Sequence, residues 1–154
     1  MGGHHLILGT LTDYLTGESL TDTHDERYRQ KIARFLVKNR RYRPDEIKAS
    51  VPLKAVAGQC QAIVRVDFII QLASGARMIV KYGPGSLTTR HRPALAASRL
   101  VASRQVPVVV VTNGEAVEVL NGETGKVMGS GFEAIPDRDD LERLYQHYGG
   151  GEIS

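Results

Sequence analysis

Three strand-like runs, 47–56, 62–72 and 77–82, follow one another with only short turns between them, after one helical pattern and before another. The second and third of them, joined by a tight turn, read as an antiparallel hairpin. A regularly alternating βα fold is thereby excluded. The class is α/β or α+β, with one helix before the three strands and one after.

The flanking elements are equally readable. Thr23 and Glu26 have the spacing of a capping box, in which Thr23 accepts from a backbone N–H and Glu26 reaches back. Tyr28, Ile32, Phe35 and Leu36 then recur at helical spacing, predicting a helix over 24–40 that ends before Pro44. Upstream, the apolar run at 6–8 leads through Tyr14 and Gly17 to Leu20 and reads as a small hairpin. Val51, Leu53 and Ala55 share one side of the first strand, whose Pro52 suits a sheet edge or a bulge. In the second strand Val64, Val66, Phe68, Ile70 and Leu72 form an apolar even face, with Arg65, Asp67 and Ile69 on the other. Ser74-Gly75 turns the chain into the third strand. The glycine-rich stretch 83–89 introduces a helix over 90–103, with Pro93 in its first turn and Leu95, Ala96 and Leu100 in an apolar stripe. The continuous apolar run 107–111 predicts a strand covered on both faces, 117–120 returns beside it, and 136–148 has a helical pattern. One domain is expected, with an extension over 1–23, a core over 24–130 and an acidic helical tail over 131–154.

A chain of 154 residues, 42% hydrophobic, has the size for a single core. One cysteine, Cys60, cannot form an internal disulfide and fits a reducing, cytoplasmic setting. No run reaches the ~20 apolar residues of a membrane-spanning helix, and the first residues lack a signal-peptide pattern. The net charge of +3 conceals a strong division. Residues 25–114 hold seventeen Lys and Arg against five Asp and Glu, whereas 115–154 hold three against nine. A basic body of this kind suits a phosphate backbone, although a solvated helix face explains part of it equally well.

Pairing the second and third strands around Ser74-Gly75 places Asp67 opposite Lys81, or Lys81 opposite Ile69 with Asp67 on the diagonal. In either register an acid and a lysine share a face, with Arg65 nearby. One reading is a structural ion pair. The other is a phosphodiester-cleaving site in which Asp67 binds a divalent cation and Lys81 orients water.

The order of elements, together with Arg65-Val-Asp-Phe-Ile-Ile70 and Met78-Ile-Val-Lys-Tyr-Gly83, resembles the αβββαβ core of the PD-(D/E)XK, or restriction-endonuclease-like, superfamily. Within it the likeness is closest to the N-terminal domain of type I restriction enzyme R subunits, over about 24–130. The resemblance implies a central mixed sheet flanked by helices and a Mg²⁺- or Mn²⁺-dependent nuclease. By that resemblance Asp67 is the strand acid and metal ligand, Lys81 the catalytic lysine, and Glu26 a further metal ligand. Members of the superfamily carry Asp or Glu two residues before the lysine, where this chain has Ile79. Either another carboxylate has taken over, with Glu26 ahead of Asp45 and Glu46, or the site no longer cleaves and the chain binds nucleic acid or a restriction-system partner.

The loop after Lys81 adds Ser86, Thr88, Arg90 and Arg92, which with Arg65 form the expected contacts to a DNA backbone. Arg99 occupies a position where the resemblance places a supporting polar residue, and ordinary surface exposure accounts for it equally well. Gly122-Glu-Thr-Gly-Lys126 lacks the spacing of a phosphate loop and reads as a hairpin turn. The histidines have no ligand-like grouping. The expected partners are therefore DNA and a restriction-system protein, with no membrane; a homodimer is left open.

Overall fold

The computed structural model describes residues 9–102 and 105–144. A hairpin of β1 (Thr10–Thr12) and β2 (Ser19–Thr21) precedes α1 (His24–Lys38). Then come β3 (Ile47–Ala57), β4 (Cys60–Leu72) and β5 (Gly75–Tyr82), helix α2 (His91–Val101), and β6 (Val108–Thr112), β7 (Val117–Asn121) and β8 (Val127–Ser130). Residues 138–144 are helical and are called α3. Strands β3 to β8 lie side by side in chain order in one six-stranded sheet. Only β5 and β6 are parallel, which makes the sheet mixed, and α2 is their crossover. Strand β3 is an edge, one of the two settings that suit Pro52, and all five residues of β6 are buried.

Two apolar layers cover the sheet. On one face Ile32, Ala33 and Leu36 of α1 pack on Phe68, Ile70, Met78, Val80 and Val110. On the other, Ala94 and Ala97 of α2 pack on Ile69, Ile79, Val109 and Val111. The continuous even face expected of β4 is not what forms. Val66 joins the α2 layer while Phe68 and Ile70 join the α1 layer, and on β3 Val51 and Ile47 divide in the same way. The reversal falls at Asp67 and at Ser50, the one position between the Ala49–Phe68 and Val51–Val66 pairs. Ser50 has φ +54°, a left-handed conformation that costs a residue with a Cβ roughly 1–2 kcal/mol. That kink turns both strands over together, so the register continues while the faces exchange.

At the N-terminus of α1, Thr23 Oγ1 accepts from the Glu26 N–H at 3.0 Å. The reciprocal half of the expected capping box does not form, because the Glu26 carboxylate turns to Gln30 Nε2 at 3.2 Å. The β6–β7 turn fits closely beneath α1. Gly114 has φ +91°, and a Cβ there would meet the Tyr28 ring at 2.1 Å. The tail is tied back to the body: Arg138 Nε donates to both oxygens of buried Glu46, and Tyr42 Oη donates to Pro136 O at 2.7 Å. Asp137 caps α3 by accepting from the Asp140 N–H, which holds its carboxyl below the ordinary range. The predicted run at 6–8, Ser103 and the tail helix beyond residue 144 lie outside the described residues.

Candidate metal centre and nucleic-acid interface

Strands β4 and β5 pair from the turn back to Phe68 and Val80 and then part. The register places Ile69 opposite Ile79, the first of the two expected pairings, with a bulge between Ile70 and Gln71 nearer the turn. Beyond Val80 two side chains replace the backbone ladder. Asp67 Oδ2 accepts from the Tyr82 N–H at 2.7 Å, and Lys81 Nζ donates to Arg65 O at 2.8 Å. The strand acid and the lysine thus stitch the fork from opposite strands.

The ion pair at Asp67 is made with Arg29 of α1, not with Lys81. Arg29 Nε donates to Asp67 Oδ1 at 2.9 Å, and its Nη1 lies 3.8 Å from Glu26 Oε1. The guanidinium carbon also sits 5.4 Å from the centroid of the Tyr82 ring. Burial works to lower the Arg29 pKa, but the hydrogen bond and charge of Asp67 outweigh it, and the group stays protonated above its usual range. Tyr82 Oη donates to Asp25 Oδ1 at 2.8 Å; burial first, and then that bond, push the phenol well above its ordinary pKa. The Asp67 carboxylate, 7% exposed, is therefore held by a cation on one oxygen and a backbone N–H on the other.

Glu26, Arg29, Gln30 and Asp67 line a pocket of about 350 Å³ between the β1–β2 hairpin, α1 and the kinked strands. Glu26 and Asp67 thus meet, but with Arg29 bonded to both. Lys81 stands on the other face: it alternates with Val80 and shares the side of Ile79, which is fully buried in the α2 layer. Asp13 and Glu18 also line the pocket, whereas the expected alternatives Asp45 and Glu46 do not. Glu46 is occupied by Arg138, and exposed Asp45 pairs with Arg43 at 3.2 Å. Among the described residues no group of three or more His, Cys, Asp or Glu side chains is placed to hold a metal ion. A divalent cation needs several oxygen ligands. Here Arg29 is paired with both Asp67 and Glu26, and its guanidinium holds the place that a cation between the two carboxylates would take.

The basic edge is different in kind. Residues 83–90 leave the end of β5, where Gly83 N–H donates to Thr112 O. Arg90 lies across Gly83 and donates from Nη2 to Pro84 O at 2.6 Å, while its Nε has no partner. Ser86, Thr88, Arg92 and Arg65 are exposed, and Arg65 is brought to this end of the sheet by the Lys81 bond to its carbonyl. Arg99 is exposed on α2 and has no place in the fork. The residue that sequence reasoning missed is Arg29. Its signal was present as spacing: it stands three positions after Glu26, on the same helix face.

Residues 24–136 match the family model described as type I restriction enzyme R protein N terminus. Among solved structures, the chain is similar to a fragment described as an HsdR subunit of a type I restriction enzyme from Vibrio vulnificus YJ016. The two are 14% identical with a TM-score of 0.45, over 68% of this chain and 21% of that one, so this chain spans about a fifth of that length. No curated protein matches it.

Proposed function

The chain belongs to the family of type I restriction enzyme R protein N termini, and on that premise we propose that it is a catalytically degenerate module that binds DNA without cutting it. One observation carries this reading: Arg29 is paired with both Asp67 and Glu26, in the place a cation would take, while buried Ile79 stands where the resemblance calls for a second carboxylate. The presence of Asp67 and Lys81 together no longer argues for hydrolysis, because each has a structural task in the fork. Binding rests on Arg65, Arg90 and Arg92, with Ser86 and Thr88 as neutral donors. In a restriction system such a module holds duplex for cleavage or translocation performed by another part of the assembly.

The second reading is Mg²⁺-dependent hydrolysis with Asp67 and Glu26 as metal ligands and Lys81 positioning water. It is favoured by Glu26 and Asp67 lining one pocket. The test is incubation of the purified chain with supercoiled plasmid, with Mg²⁺ or Mn²⁺, alongside gel-shift titration in EDTA. The degenerate reading expects a shift and no nicking above that of Asp67→Ala. Metal-dependent nicking lost in Asp67→Ala establishes the nuclease instead.

A further inference from the structure

Strand β4 pairs with β3 along nearly its whole length but with β5 only from Phe68 onward. Residues 51–57 and 60–66 therefore project beyond the fork as a two-stranded ribbon about 23 Å long at ~3.3 Å per residue. A two-stranded hairpin is marginal in water without something covering a face. One face has such cover, since Val51, Leu53, Val64, Leu87 and Leu95 all pack against the α2-side core. The opposite face carries Pro52, Lys54, Val56, Gln61, Ile63 and Arg65 and has none. Val56 is 61% exposed and Ile63 65% exposed, the two most exposed large apolar side chains among the described residues.

We propose that this open face enters the major groove of duplex DNA, with Val56 and Ile63 against base edges and Lys54 and Arg65 on the flanking phosphates. The proposal rests on the DNA-binding reading above and names the element that reaches the bases. Charge selects the occupant: residues 47–66 hold Lys48, Lys54 and Arg65 and no acid. Shape agrees, because the major groove, about 12 Å wide and 8.5 Å deep, admits a two-stranded ribbon, and apolar side chains there meet the thymine methyl. The ribbon is also continuous with the basic loop, since the Lys81 bond to Arg65 O joins its base to the end of β5. A second copy of the chain added along β3 is disfavoured by Pro52, Lys48, Lys54 and the left-handed Ser50, all of which blunt an edge strand.

The experiment is fluorescence anisotropy with a short thymine-rich duplex and the same duplex built with deoxyuridine, using wild type, V56S/I63S and R90A/R92A. The altered residues of V56S/I63S are solvent-exposed, and circular dichroism checks its fold. The ribbon proposal expects V56S/I63S to bind about tenfold more weakly with an unchanged salt slope. It also expects deoxyuridine to weaken wild type but not V56S/I63S, a comparison that needs no assumption about folding of the variant. Equal affinity of wild type and V56S/I63S, with R90A/R92A weakened, overturns the ribbon and leaves the DNA reading standing. No binding by wild type overturns that reading and the ribbon with it. A dimer in sedimentation that V56S/I63S converts to monomer assigns the face to self-association and also overturns the proposal.

Discussion

The fork at Asp67 and the edge at Arg90 lie at the same end of β5 and answer opposite demands. In the fork, acceptors meet donors of the same chain: Asp67 with Arg29 and the Tyr82 N–H, Asp25 with Tyr82, the Arg65 carbonyl with Lys81. At the edge Arg92 faces solvent, and half-buried Arg90 lies across Gly83 with its Nε buried and unpartnered. A carboxylate bridged by a guanidinium must release that cation before it can take a metal, whereas the solvent-facing guanidinium of Arg92 is open to phosphate. The difference separates two properties that a nuclease-like chain usually carries together. On the proposed reading, holding DNA and cutting it draw on different residues, so the first can persist without the second.

Breaking the fork should have the largest effect. Asp67→Ala strands the Arg29 charge and the Tyr82 N–H in a buried site, and urea unfolding should show a loss of about 3 kcal/mol. Asp67→Asn, which keeps an acceptor for the N–H, should lose roughly half of that. A stabilised Asp67→Ala protein is the outcome expected of a strained catalytic carboxylate and would refute the stitching role. Gly114→Ala attacks the same fork from a distance. Its Cβ displaces Tyr28 and lifts α1, so a cost of about 2 kcal/mol is expected, together with weaker protection of the Tyr82 amide in hydrogen exchange.

At the edge the expectations reverse. R90A/R92A should leave the unfolding free energy within about 0.5 kcal/mol of wild type. Its DNA affinity should fall, and the slope of log affinity against log salt should flatten by about 2. An unchanged slope would remove these arginines from the interface. The smallest effect concerns acid. Asp22 is held below its ordinary pKa by its hydrogen bond to Arg27, and Asp137 by the Asp140 N–H. A depressed carboxyl adds stability above its unfolded pKa and loses it as pH falls through the folded one. Both contributions are therefore complete at neutral pH and vanish below the usual carboxylate range. Asp22→Asn should flatten that acid limb of the stability profile, and an unaltered limb would show that the pair contributes nothing.

The succession of elements, the two helices and the hairpin of β4 and β5 were legible in the sequence, because hydrophobic periodicity and tight turns determine them locally, whereas the choice between its two registers was made only by the fold. The reversal of faces at Ser50 and Asp67 was not. Every even position from Val64 to Leu72 is apolar, so composition gives no sign that Val66 and Phe68 belong to different layers. The resemblance located Asp67, Lys81 and Glu26 and drew attention to Ile79. It could not supply their partners, since Arg29 reaches Asp67 only after α1 docks across the kink, a contact spanning 38 positions. Tertiary packing, not local pattern, decides whether a carboxylate is free.

The central claim is that Arg29 and the Tyr82 N–H leave Asp67 closed to metal. Titrating Mn²⁺ while following the Arg29 Nε–H and Tyr82 amide signals by NMR tests it directly, because paramagnetic broadening is steeply local. Both signals should persist, no more broadened than amides on distant β8. Selective loss of these two at low Mn²⁺, with the rest of the spectrum intact, would place a metal on Asp67 and contradict the account.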